Sequence, residues 1–281
     1  MKKLTLLLLA LLYVTLTYAY TERDLLQKQA DINRLKEILV LDRQWVTYPD
    51  YNDRAGWDRF LGTFKDEYIR RGEKRLNYQW QVVKATDYLA FERTGNRQIM
   101  EKPFGANNGA IADLLMAELA EGKGRFVDQL INGVFNACEM TSWALAAHII
   151  VQPSHRALPA YDYPVIDLTS GDLGGLLAWT YHFMRPSFDK VDPEISRRLR
   201  HELQTRILDP YMNNDSFWWM GRNYNGRMLN NWNPWCNSNA LMCFMLLEDN
   251  RDTLAKAVHL TMESVDKFLN YIKADGACEE G

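Results

Sequence analysis

The sequence predicts an all-α fold. Apolar residues recur at three-to-four spacing through most of the chain. No stretch alternates apolar and polar residues as a half-buried strand does. Helix start signals, such as Asp192-Pro193, stand ahead of several of the apolar runs. No long Ser-, Gly- or Pro-rich linker divides the 281 residues, which predicts one domain of antiparallel helix pairs joined by loops of varied length.

The first residues read as a leader. Met1-Lys2-Lys3 is a short basic start, Leu4 to Leu16 is apolar, and Thr17-Tyr18-Ala19 is a small-residue cleavage site, so residues 1–19 are expected to be a secretory signal peptide. The run is shorter than the ~20 apolar residues of a membrane span, and no second run of that length follows. A secreted or periplasmic protein with residues 20–281 as its helical domain, and with no membrane span after signal removal, is the expectation.

The helices follow in order. Leu25 to Val40 is amphipathic, with the Thr21 hydroxyl and Asp24 as its cap. Asp53 to Ile69 spaces Trp57, Phe60, Leu61, Phe64 and Tyr68 along one face. Tyr78 to Tyr88 has a weaker pattern. Ala110 to Leu119 and Phe126 to Trp143 are separated by Gly122 and Gly124. Val165 to Met184 is expected to end before Pro186. Pro193 to Leu208 opens on a cap with proline in the first turn and is expected to close at Pro210. Asn237 to Leu247 and Thr253 to Lys273 complete the set. Polar and aromatic residues gather in two connections, Gln152 to Pro164 and Asn213 to Asn239, where a binding cleft is expected.

Composition narrows the function classes. Lys and Arg total 33 against 36 Asp and Glu, with 47% hydrophobic residues, which excludes a disordered chain and a basic nucleic-acid-coating protein. The 9 Trp and 14 Tyr either line the core or stack on sugar rings. Cys138, Cys236, Cys243 and Cys278 show neither a disulfide framework nor metal-ligand spacing and read as buried thiols, with no pair selected for a disulfide. There is no phosphate-binding glycine loop, no His-x-x-x-His pair and no dinucleotide fingerprint, so neither a cofactor nor a metal is expected.

Three segments carry candidate chemistry. Trp218 to Asn237 packs four Trp and six Asn into twenty residues, with Arg222 and Arg227 among them. Asn bonds without charge, Trp faces pack on pyranose rings, and Arg pairs with carboxylates or sulfates. These groups suit an acidic sugar; the other reading is an Asn-rich loop whose Trp plug the core. Asn136 to His148 places Glu139 and Trp143 four apart, on one face if the helix persists, with His148 as either a structural or a catalytic histidine. Ser142 lacks the Gly-x-Ser-x-Gly setting of a hydrolase nucleophile. Asp167, in Val165-Ile166-Asp167-Leu168, reads first as a helix N-cap.

Three stretches resemble the heparinase II/III family of polysaccharide lyases: Cys138-Glu139-Met140-Thr141-Ser142-Trp143 through Ala147-His148, Val165-Ile166-Asp167-Leu168, and most specifically Asn230-Asn231-Trp232-Asn233-Pro234-Trp235. The resemblance covers most of the mature chain. It implies an incomplete α/α toroid followed by a C-terminal β-sandwich, and β-elimination on uronic-acid-containing polysaccharides such as heparan sulfate or alginate. Asn231 is then the carboxylate-binding residue, with Asn230 as its support and His148 as a second catalytic residue. Glu139 and Trp143 lie across the cleft, and Trp218, Trp219, Arg222 and Trp232 hold the polymer. In the family, the stretch resembling Asp275 to Gly281 leads into a segment bearing the catalytic Tyr. This chain stops before that segment and lacks the β-sandwich, so an N-terminal portion, inactive alone, is expected, with Tyr224 as the remote substitute. A toroid-fold glycoside hydrolase using Glu139 and Asp167, or a non-catalytic carbohydrate-binding protein, are the competing expectations.

Overall fold

The computed structural model describes residues 22–223, 228–272 and 275–278. The signal-peptide reading of residues 1–19, the cap at Thr21, and Tyr224 and Arg227 fall outside the described residues. Within them the fold is all-helical, with no strand.

The first helix is shorter than its amphipathic run. α1 (Ile32–Ile38) starts at Asp31, whose side chain accepts from the Arg34 N–H, and Asp24 sits instead in a turn at φ +46°. The Asp53–Ile69 pattern splits into α2 (Arg54–Leu61), a single 3-10 turn (Gly62–Phe64) and α3 (Lys65–Glu73). Gly62 takes φ +51°, a conformation that costs glycine little and breaks the register. The expected five-residue face is therefore divided: Trp57 and Leu61 are buried, whereas Phe60 and Phe64 are exposed. α4 is Ala85–Thr94 and α5 runs Gln98–Glu121.

α6 (Val127–Glu139) ends four residues before Trp143, because Met140 turns extended with ψ 137°. Glu139 and Trp143 consequently do not share a helix face. α7 spans Leu168–Val191 and continues through Pro186. The run does not end there because Met184 and Phe188, on either side, are fully buried and hold the turn in place. α8 (Pro193–Leu203) widens into one π turn over Gln204–Leu208 and resumes as α9 (Asp209–Asn213). The π turn shifts bonding to i→i+5, which lets the helix pass Pro210, a residue with no N–H to give. α10 (Trp232–Leu247) begins five residues earlier than the periodicity indicates, and α11 (Arg251–Leu269) is capped by Asn250, whose side chain accepts from Thr253.

Each helix packs on a few others in a continuous series: α3 on α5, α5 on α6, α6 on α8, α8 on α7, α7 on α10, α10 on α11, and α11 on α1. The chain ends of this series are tied by hydrogen bonds. The Leu26 and Gln27 N–H groups donate to the buried Asp266 carboxylate at 2.9 Å, and the Arg251 guanidinium donates to the Lys36 and Leu39 carbonyls. One hydrophobic core runs through the helices, with Trp57, Phe126, Phe188, Tyr211, Trp219 and Phe244 among its fully buried side chains. Cys138, Cys236 and Cys243 are buried free thiols in it, and burial raises each, Cys138 and Cys243 to about 12. No helix among the described residues is long and apolar enough to cross a membrane.

α7 and α10 lie side by side with the same sense, since Asp172 meets Trp235 and Gly174 meets Cys243 further along both helices. They approach closely because Gly171 and Gly175 leave room for Asn239; a Cβ at Gly175 would stand 3.1 Å from the Asn239 oxygen. This parallel pairing brings the N-terminal ends of α7 and α10 to one place.

Candidate functional site

Asp167 is the N-cap of α7, as the sequence indicates. Its Oδ1 accepts the Ser170 N–H at 2.8 Å, and the Ser170 hydroxyl accepts the Asp167 N–H at 2.7 Å in return. The carboxylate is fully buried and does more than cap. Its Oδ2 also accepts the Leu145 N–H at 3.0 Å and lies 2.6 Å from His148 Nδ1. The Thr169 hydroxyl adds a further donor at 3.1 Å. A buried carboxylate costs several kcal/mol unless its lone pairs are filled, and here each oxygen holds at least two donors.

That arrangement sets the state of His148. Its Nε2 lies 3.4 Å from the Arg97 guanidinium. Arginine has no acceptor, so Nε2 accepts and the proton sits on Nδ1, donating to Asp167. The exposed side of the ring therefore carries a lone pair held in a fixed direction by a buried carboxylate, the arrangement of an oriented general base. Tyr88, close by, is not a free proton acceptor: its hydroxyl donates to the Ser142 carbonyl at 3.0 Å, and burial, then the Asp167 charge, hold it well above its ordinary value.

The Asn-Asn-Trp-Asn motif meets this dyad from α10. The Trp232 ring packs edge-on against His148 with centroids 4.7 Å apart, and Trp218, 43% exposed, packs on Trp232 at 5.4 Å. Asn230 accepts the Trp232 N–H through Oδ1 at 3.1 Å, satisfying a donor of the first turn. Asn231 is the N-cap position of α10, half-buried, with its carbonyl accepting the Trp235 N–H. Asn231, Asn230, Trp232, Trp218 and His148 thus share one surface. Two parallel helices point their positive ends at it, and the exposed Arg97 adds a formal charge.

The other expected site residues lie elsewhere. Trp143 is 2% exposed; its indole N–H donates to the Ala137 carbonyl and the Arg206 guanidinium covers its ring at 5.1 Å. Trp219 is 1% exposed, donates to the Ile166 carbonyl and stacks on Phe217. Neither offers a face to a sugar. Arg222 is spent on the Tyr211 and Met212 carbonyls and on Asp215. Glu139 is exposed and paired with Arg198 at 3.3 Å, on the far end of α6. Arg97, which sequence reasoning missed, takes the place expected of Arg222. It lies 51 residues from His148 and no local pattern marks it.

Compared with known proteins, the chain matches no family model and no curated protein.

Proposed function

We propose that the protein acts on uronic-acid-containing polysaccharides by β-elimination, with the His148–Asp167–Asn231–Trp232 surface as its binding and proton-abstracting site. The observation that carries this reading is the 2.6 Å contact between His148 and the buried Asp167, at a surface lined by Trp232 and Trp218.

The chemistry follows from the groups present. Removing the C5 proton of a uronate creates charge next to a carboxylate, so that carboxylate must be bound or polarised. Asn231, the N-terminal end of α10 and Arg97 supply dipoles and positive charge for it. His148 Nε2 takes the C5 proton and Asp167 stabilises the imidazolium that forms; the C4–O4 bond breaks as the C4=C5 double bond forms, and the leaving glycosidic oxygen takes a proton from water. Trp232 and Trp218 give apolar faces to the sugar rings. The resemblance to heparinase II/III lyases in Asn230-Asn231-Trp232-Asn233-Pro234-Trp235 supports the substrate class. The series of packed helices, with α7 and α10 parallel and α8 beside them, supports the toroid architecture that the resemblance implies.

The hydrolase alternative is less favoured. Asp167 has its lone pairs filled in the interior, and Glu139 is an exposed partner of Arg198. Product analysis tests the proposal. Incubation with heparan sulfate or alginate tests this and the expectation that these 281 residues are inactive alone: whatever product forms, from this chain or a longer one, should carry an unsaturated, ultraviolet-absorbing uronate end. Saturated reducing ends would contradict it, as would an acidic oligosaccharide affinity that is the same in wild type and Asn231→Ala.

A further inference from the structure

A second depression lies where the α6–α7 connection meets α8. It has a volume of about 260 Å³ and is walled by Thr141, Ser142, Tyr161, His201, Thr205 and Arg206, with Trp143, Tyr163 and Ser170 behind them. None of His148, Asn231 or Trp232 lines it, so it is a separate place from the surface described above. Between them lies the buried Asp167–Ser170 capping pair, of which Ser170 lines the cavity.

The chemistry of the walls is specific. Charge is balanced: the two oxygens of buried Glu202 are taken by Arg198 and Arg206, and Glu139 pairs with Arg198 as the second anion. Arg206 also donates one N–H from Nη1 to the Thr141 carbonyl and one from Nη2 to the Cys138 carbonyl, and its face lies on Trp143. Arg206, the guanidinium in the lining, is thus held by Glu202 and two carbonyls rather than standing free for an anion. Hydroxyls remain instead. The Thr141 hydroxyl, the Tyr161 hydroxyl and the His201 ring make no hydrogen bond among the described residues, and Tyr163 only accepts, from Asn214 at 2.7 Å, which leaves its proton to give. Such a lining is too polar for an acyl chain.

One wall is also built for an aromatic contact. Gln152, fully buried in the connection, donates to the Arg156 and Leu158 carbonyls and accepts the Ala160 N–H, each at 2.7–2.8 Å. Those bonds fix the backbone that carries Tyr161, a side chain 89% exposed at the rim. An uncovered tyrosine on an anchored backbone, beside free hydroxyls, is a platform for a pyranose ring.

We infer that this cavity binds one uncharged sugar unit, with Tyr161 against the ring face and Thr141, Tyr163 and His201 bonding its hydroxyls. The inference stands apart from the uronate reading, since it uses none of the same side chains. The test is calorimetric titration of the 281-residue protein with the methyl glycosides of glucose, galactose, mannose and N-acetylglucosamine, and with glucuronate and inorganic phosphate for contrast. At least one neutral glycoside should bind with a Kd of roughly millimolar strength, and Tyr161→Ala should weaken it about tenfold. Tyr161→Phe should retain most of the affinity, and Trp232→Ala should leave it unchanged. Tyr161 is exposed, so neither substitution threatens the fold; Thr141→Val, at another exposed position, provides an independent loss. Failure of every neutral glycoside to bind, equal affinity in Tyr161→Ala, or a glucuronate or phosphate affinity tighter than the neutral ones that Tyr161→Ala weakens and Trp232→Ala does not, would overturn the inference. None of these outcomes depends on whether uronate polymers are cleaved.

Discussion

The Asn- and Trp-rich segment divides into a closed half and an open half, although both are built from the same residue types. In the closed half, Asn233 and Asn237 are fully buried. The Asn233 amide donates to the Trp219 and Ser264 carbonyls, Asn237 donates to the Asn233 carbonyl and to the Ser264 hydroxyl, and Tyr211 donates to Asn237 at 2.6 Å. In the open half, Asn230, Asn231 and Trp232 are half-buried beside His148, and Trp218 is exposed. The difference teaches that amide and indole groups do not by themselves mark a site. What separates the halves is where the side chains lead: inward to backbone carbonyls in one, and in the other to a half-buried face where the Trp232 ring meets His148.

The comparison predicts that damage should sort by half, and the one residue that serves both purposes should hurt most. Asp167→Ala removes a cap and strands the Leu145, Ser170 and His148 donors in the interior, so it should cost roughly 3 kcal/mol or more in chemical denaturation. A smaller loss would mean that the carboxylate is less central than its bonds suggest. Asn233→Ala should cost about 2 kcal/mol of stability by leaving the Trp219 and Ser264 carbonyls unpaired, with little direct effect on oligosaccharide affinity at temperatures where the fold persists. Trp232→Ala should do the reverse, weakening binding about tenfold through loss of the ring face while changing stability by less than the Asn233 variant.

Two further expectations are smaller. Burial, and then the Arg43 charge, lower His182 from its ordinary value of 6.5. The folded protein therefore holds that proton more weakly than the unfolded chain. Its contribution is complete above pH 6.5 and is lost as pH falls from there through the lowered folded value. Denaturation midpoints measured across that window should decline in wild type and decline less in His182→Gln. Glu139→Gln should be nearly silent, within about 0.5 kcal/mol in stability, because its partner Arg198 is also bonded to Glu202. A large loss of activity in that variant would instead revive the hydrolase reading.

Much of the helical framework was legible in the sequence, because three-to-four spacing reflects burial on one face. Asp167 was also accessible as a cap type, since its partner is three residues away. The prolines were misleading: Pro186 sits inside α7, and Pro210 is passed by a π turn, because tertiary burial outweighs a lost hydrogen bond. The motif residues Asn231, Trp232 and His148 were identified, but exposure was not. Trp143 and Trp219 have the composition of sugar platforms and the solvent access of core residues. Arg97 and Tyr161 were missed because their places, beside His148 and at the cavity rim, depend on segments brought together over long separations, which no local pattern encodes.

The account rests on the open half being where an acidic glycan binds. The most direct measurement is an equilibrium titration of an unsulfated uronate oligosaccharide into wild type, His148→Ala and Trp232→Ala at two salt concentrations, with thermal denaturation run in parallel. The predicted result is affinity that weakens with salt and falls about tenfold in each variant, with folding preserved. Equal affinity in all three proteins, or no affinity in wild type, would contradict it.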